Sequence, residues 1–249
     1  MKLIIPNIIN KHKNQKCILA GHGPSLNKYR GKLSYLKDKG YIIIGCNTWY
    51  EFYNCAPHYW INVNTVDTST TMIHKINEFK SIWVYADSVD LTDQEWLNKN
   101  IQTDYLPYDQ RHQQGKECYC CKKVGCGKYR DPNRLTIQEE LKKYTNHTIL
   151  YSSGHTVALH MLAFSIIMGF SEIYIAGFDF NYKLGYATNT ANRKIPDNDT
   201  GYFNLNSYGG DILKDIVIIN DSAKNIGTKI YNTNENSSWK DFEYKEIIC

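Results

Sequence analysis

Three short stretches of the 249-residue chain carry residue types that could do chemistry. The first is GHGPS, residues 21–25, which links an apolar run to a helix-like one. Gly21 and Gly23 permit positive φ and the close approach of a ligand. Pro24 sets the next turn, and Ser25 or Asn27 is placed to cap a helix. Free N–H groups in such a turn, aided by a helix dipole, suit an anion such as phosphate. The dinucleotide fingerprint G-x-G-x-x-G fails here at Leu26. The plainer alternative is a strand-to-helix turn whose glycines serve geometry alone.

The second stretch is YSSGH, residues 151–155, again polar and glycine-bearing between a strand-like and a helix-like segment. Ser152, Ser153 and Gly154 would then face the same sheet edge as GHGPS. Asp179 ends the strand that follows, where it could accept from a ribose or an amino group, or hold a metal. Asn47 ends the second strand-like run, and Asn62 and Asn64 end the third. Each amide offers a donor and an acceptor for reading a base or sugar, although Asn is also favoured in turns for its own sake.

The third stretch is CYCCKKVGCG. Cys118 and Cys121 make C-x2-C, Cys126 follows, Cys120 lies between and His112 lies upstream. Such a knuckle suits structural Zn²⁺, which would order a loop that has no core. A disordered loop and a local disulfide are the alternatives. The surrounding Lys116, Lys122, Lys123, Lys128, Arg130 and Arg134 make the segment basic, as a lid over an acidic acceptor or as a solvated loop.

The elements that must position these groups follow an alternating pattern. Apolar runs predict strands at 16–21, 41–47, 58–64, 81–86, 147–152, 171–180 and 227–233. Amphipathic or capped runs predict helices at 27–40, 67–79, 92–99, 135–144, 154–169 and 208–226. Residues 107–134 keep no period and read as an insertion. The expected architecture is one Rossmann-like α/β domain over 1–249, its mainly parallel sheet flanked by helices, with a Cys-rich insertion at about 107–134. Ligands of such folds lie outside the carboxyl ends of the strands, near a topological switch point, and GHGPS falls there.

Composition narrows the classes. A net charge of +4 with scattered basic residues is no nucleic-acid footprint, though it tolerates an anionic small molecule. No apolar run approaches the about 18 residues a membrane span needs. The opening MKLIIPNIINKHKNQK is broken by Pro6 and Asn7 and reads as no signal peptide. Eight cysteines without a secretion signal predict a reduced, cytoplasmic setting. Composition leaves a homo-oligomer open.

ILAGHGPSL, IIIGCNTWY, SSGHTVALHMLAFSIIMGFSEIYIAGFDF, GYA and KIYNTNENS together resemble the bacterial sialyltransferases that extend lipooligosaccharides. They are equally similar to the related proteins akin to 6-hydroxymethylpterin diphosphokinase, flagellin-glycosylation accessory factors included. The resemblance runs from about Lys16 to Ser238, outside 107–134. It implies a Rossmann-like nucleotide-binding fold and transfer from a nucleotide-activated donor or ATP. On the sialyltransferase side it places Gly21, His22 and Gly23 against the donor, with Pro24 and Ser25 completing the turn. Asn47 with Asn62 or Asn64 would contact donor phosphate and nucleotide. Ser153 and Gly154 would line a cytidine pocket, with Asp179 near the nucleotide. Tyr182 and Tyr186 would stabilise the leaving phosphate without a metal.

Two departures stand out. The family has Asn where this chain has His22, and its catalytic histidine has no counterpart in LNSYGGD, residues 205–211. His22 and His155, both on binding turns, are the candidates to replace it as base. The expected function is a sialyltransferase-like glycosyltransferase, moving a sugar from a CMP-sugar donor to a glycan or small-molecule hydroxyl with no cofactor. The alternatives are an ATP-dependent diphosphokinase of a pterin-like alcohol, using Mg²⁺ on Asp179 and Asp67, and a non-catalytic nucleotide-binding accessory protein.

Overall fold

The computed structural model describes residues 1–62, 70–86, 99–108, 156–179, 210–237 and 239–248. The described strands are β1 (Lys16–Ala20), β2 (Ile42–Cys46), β3 (Tyr59–Asn62), β4 (Ile82–Ala86), β5 (Tyr105–Tyr108), β6 (Glu172–Ala176), β7 (Lys229–Asn232) and β8 (Glu243–Tyr244). They form a single sheet in the order β5-β4-β3-β2-β1-β6-β7-β8. Every neighbouring pair is parallel. The helices are α1 (Asn27–Arg30), α2 (Leu33–Asp38), α3 (Trp49–Phe52), α4 (Thr70–Phe79), α5 (Val157–Ile167) and α6 (Gly210–Asn225).

Strand side chains alternate between the two faces with period two. Cys17, Leu19, Ile44, Cys46, Ile61 and Val84 enter a core shared with α5 and α6. Ile18, Ala20, Ile43, Trp60 and Trp83 enter a second core, closed by Tyr29, Leu33, Leu36, Trp49, Phe52 and Ile76 from α1 to α4. Nearly all of α5 is buried, His160 included, which explains why its sequence is apolar on most sides. This layering is the expected α/β architecture, with the described strands wholly rather than mainly parallel.

Local departures have local causes. The helix expected over 27–40 is two helices, because Gly31 ends α1 and the chain restarts at Leu33. Its stop at Gly40 is as expected: φ is +87°, and the Gly40 and Tyr41 amides bond back to Lys37 and Leu36. Strand β5, inside YLPY, was not foreseen because Pro107 argues against a strand. Proline is tolerated near a sheet edge, and among the described residues β5 has just the 1–3 segment on its outer flank, where Leu3 N donates to Tyr105 O at 2.7 Å. Helix α3 and the two-residue β8 were also not foreseen. The expected strand at 147–152, the helix at 135–144, nearly all of the helix at 92–99 and the Cys-rich stretch lie outside the described residues. No described helix is long and apolar enough to cross a membrane.

Candidate functional site

The strand order reverses at β1. The chain steps outward from β1 through β5 on one side and from β6 through β8 on the other. The carboxyl ends of β1 and β6 therefore form the switch point at which such sheets bind ligands. GHGPS leaves β1 there, and GFD leaves β6 beside it.

The two turns are bonded to each other. Gly21 N donates to Ala176 O at 2.8 Å and Gly23 N to Gly177 O at 2.7 Å. Ser25 N donates to Asp179 Oδ2 at 2.9 Å, and Ser25 Oγ accepts from Gly177 N at 3.1 Å. Leu26 N closes onto Gly23 O at 3.1 Å. This corrects the expectation that the turn offers free amides to an anion, since those of residues 21, 23, 25 and 26 are used within the chain. Neither Ser25 nor Asn27 caps by its side chain, as the single 3₁₀ turn Pro24–Leu26 begins at Gly23 and leads into the four-residue α1.

The glycines are required for another reason than the one anticipated. Gly23 has φ −74° and ψ 155°, open to any residue, and Gly21 is not at positive φ either. What they provide is contact. A Cβ on Gly21 would strike Gly177 O and lie 2.9 Å from the Gly177 carbonyl carbon; one on Gly23 would strike Asp179 Oδ2 and lie 2.8 Å from Gly177 O. Positive φ is used on the other turn, at Gly177 with +74°.

Asp179 is 4% exposed, and both its oxygens are engaged. Oδ2 takes Ser25 N, and Oδ1 accepts from Asn234 Nδ2 at 2.6 Å. Asn234 was missed by sequence reasoning. Its signal is the alternation of Asn232, Asn234 and Asn236, a pattern for successive Asx turns. Asn234 N bonds Asn232 Oδ1 and Asn236 N bonds Asn234 Oδ1, each at 3.0 Å.

On the neighbouring strand, Ala20 is in register with Gly45, so His22 and Asn47 each stand two residues beyond that pair. Asn47 has φ +48°, a left-handed conformation that Asn tolerates better than most residues. Its carbonyl accepts Trp60 Nε1 at 2.7 Å. The His22 ring is 8% exposed and stacks on Phe52 of α3, with centroids 4.0 Å apart and planes 17° apart. Tyr53, just after α3, donates to Gly21 O at 2.9 Å. Burial pushes its phenol well above the ordinary range, so it stays a neutral donor. Helix α3 thus braces the turn that carries His22. It can lie this close because Gly45 has no Cβ to meet the Trp49 ring.

Asn62 ends β3 next to Asn47, since Ile61 is in register with Cys46. It is 4% exposed, its Oδ1 accepts Trp83 Nε1 at 3.0 Å and its Nδ2 faces Met72 Sδ at 3.6 Å, so it is a satisfied core amide. The structure brings together Gly21, His22, Gly23, Pro24, Ser25, Asn47 and Asp179, with Asn62 beside Asn47 on the next strand and its side chain engaged by Trp83 and Met72. Asn64, Ser153, Gly154, His155, Tyr182 and Tyr186 fall outside the described residues, as do Cys118, Cys120, Cys121 and Cys126. Among the described cysteines, burial pushes Cys46 up to about 12, so it is an inert thiol.

The amino edge of the sheet also holds histidines. His12 bonds Gln15 Oε1 and Tyr59 OH, each at 2.7 Å, and stacks on Phe170. His58 Nδ1 accepts from Ile43 N at 3.0 Å. Burial lowers both rings, His58 to about 4 with help from the nearby Lys37 and His12 charges.

Fold and switch point define a doubly wound, Rossmann-like α/β protein whose candidate ligand edge lies over β1, β2 and β6. The family is shown by sequence: residues 2–185 match the model described as 6-hydroxymethylpterin diphosphokinase MptE-like, and the chain belongs to that family. Among solved structures it is similar to the sialyltransferase CstII from Campylobacter jejuni in complex with cytidine-5'-monophosphate. The identity there is 17%, with TM-score 0.54, over 94% of this chain and 86% of that one. A second CstII structure, in complex with CMP-3FNeuAc, gives 16% and 0.50 over the same shares. At these identities the likeness is one of fold. No curated protein matches the sequence.

Proposed function

We propose that the protein is a transferase that takes a sugar from a CMP-linked donor and passes it to a hydroxyl acceptor. The observation that carries the reading is the placement of His22 and Asn47 two residues beyond registered partners on adjacent parallel strands, at the strand-order reversal. The fold likeness to enzymes whose structures hold CMP and a CMP-sugar analogue supports it. In this reading Asn47 contacts the donor, with Ser153 and Gly154 near the cytidine. The acceptor oxygen attacks the anomeric carbon and the bond to the donor phosphate breaks, so CMP leaves. A histidine, His22 or His155, takes the acceptor proton. Tyr182 and Tyr186 donate to the departing phosphate, and no metal is needed.

The family description favours a second reading, transfer of diphosphate from ATP to a pterin-like alcohol. Mg²⁺ would then need carboxylates; Asp179 is the candidate among the described residues, and Asp67 lies outside them. Its two oxygens already hold Ser25 and Asn234, so serving a metal would cost the turn its anchor. That observation ranks the metal-free reading first.

The test is thermal-shift titration with CMP, CMP-sialic acid, UDP-sugars, GDP-sugars and ATP, each with and without Mg²⁺. A ligand that binds only the native state raises the midpoint. The expected result is stabilisation by the CMP compounds without metal, followed by turnover on a donor panel. Stabilisation only by ATP with Mg²⁺ would overturn the reading in favour of diphosphoryl transfer. Binding without turnover would leave a nucleotide-binding accessory protein.

A further inference from the structure

We infer that Asn234 is a positioning residue for the turn at 21–25, acting through Asp179. The chain of contacts is short and partly buried. Asn234 Nδ2 donates to Asp179 Oδ1 at 2.6 Å, and Asp179 Oδ2 accepts from Ser25 N at 2.9 Å. The amide orientation is fixed by its other bond: Oδ1 of Asn234 accepts Asn236 N, so Nδ2 must face the carboxylate. With Oδ1 fixed, the carboxylate cannot rotate freely. Its Oδ2 therefore stays on Ser25 and against Gly23, where only glycine leaves room. His22 lies between Gly21 and Gly23, so its placement depends on the same contacts.

The segment after β7 is built to hold this point. Thr233 Oγ1 bonds Ile175 O at 2.9 Å and Ser237 Oγ bonds Phe178 O at 3.3 Å, on either side of the Asn234 contact. The same segment reaches the far end of the unit that GHGPS opens. Ile247 N donates to Tyr29 OH at 3.4 Å, and Glu246 pairs with Lys28. Chain that follows β7 thus meets residues 21–30 at one end through Asp179 and at the other directly, at Lys28 and Tyr29.

The functional part of this inference rests on the proposed donor site, and the test separates the two. Asn234→Asp keeps an oxygen for Asn236 N but cannot donate to Asp179. Asn234→Ala removes both bonds, and Asn236→Ala is the control on the same segment. Amide exchange of the full-length variants is read at Ser25 and Leu26 against Ile18 and Leu19 of β1. The expected result is exchange at Ser25 faster by about tenfold or more in both Asn234 variants, the scale of a hydrogen bond to a charged group, with β1 unchanged. CMP affinity should fall by a similar factor. Unchanged exchange at Ser25 in Asn234→Asp, or equal acceleration at Ser25 and in β1, would overturn the positioning role. If the wild type binds no CMP, the donor reading fails while the exchange result still decides the role of Asn234.

Discussion

The two edges of the sheet use histidine in opposite ways. At the amino edge, His12 and His58 are braces: each ring nitrogen with a described bond faces the chain itself, and burial lowers the pKa of both rings. At the carboxyl edge, His22 is held by stacking on Phe52 and by a turn clamped between β6 and α3. The residue type is the same, and the strand direction separates the roles. In a parallel sheet all amino ends gather on one side, where each connection re-enters the core. All carboxyl ends gather on the other, where the strand order leaves a gap between diverging connections. A histidine in this fold is read first by its edge.

That contrast can be tested from its strongest element to its weakest. The clamp at the carboxyl edge should break with Gly21→Ala. Its Cβ meets a backbone carbonyl, which cannot swing away, so a loss of about 3 kcal/mol is expected, with the chemical-denaturation midpoint falling accordingly. A midpoint equal to wild type would show that the two turns are not in contact. His22→Ala should lower turnover of a CMP-sugar about a hundredfold, the range of a lost general base, with a much smaller change in thermal midpoint. An unchanged rate would hand the base role to His155.

The amino edge should answer to pH instead. His58 is lowered to about 4 in the fold, against about 6.5 in an unfolded chain. The unfolded state therefore binds the proton first. The contribution is fully present above about 6.5 and is lost as pH falls towards 4, on the order of 1 kcal/mol after allowing for solvent screening of a partly exposed ring. His58→Asn, which can still accept from Ile43 N, should flatten that part of the stability–pH curve; an unaltered slope would move the effect to another group. The smallest effect is expected at Gly31→Ala. Its Cβ would meet nothing within 4 Å and φ is −72°, so the change should be neutral or stabilising by about 0.5 kcal/mol. A loss as large as that of Gly21→Ala would mean that the two glycines do not differ as their surroundings indicate.

The apolar strands were legible because period and composition report burial directly: IIIGC and CILA are hidden on both faces, and both became central strands. The place of GHGPS at the carboxyl end of a central strand was legible for the same reason. What that turn does was less so. Glycine in a sequence announces either a positive φ or a close neighbour, and here the neighbour is 156 residues away, from Gly21 to Gly177. Asp179 read as a ligand group because the run 171–180 suggested that it ends a strand; β6 stops at Ala176, and Asp179 lies on the turn beyond it, where Ser25 and Asn234 reach it by tertiary contact. Asn62 looked like Asn47 in sequence but points into the core, a difference of side-chain direction that strand-end position alone does not reveal. Tyr105–Tyr108 failed as a strand prediction because a four-residue strand with a proline is below what pattern reading detects.

The hold on the turn at 21–25 also sets an order of events during synthesis. Ser25 is made 154 residues before Asp179, and Asp179 55 residues before Asn234. At roughly 5–20 residues per second, the turn waits on the order of ten seconds or more for its first anchor, and several seconds longer for the second. Until then the Ser25 amide lacks Asp179 and Gly21 lacks the Gly177 carbonyl it rests against. Strands β1 to β5 can gather before β6 is made, but the turn at 21–25 takes its shape only once residues 176–234 have followed.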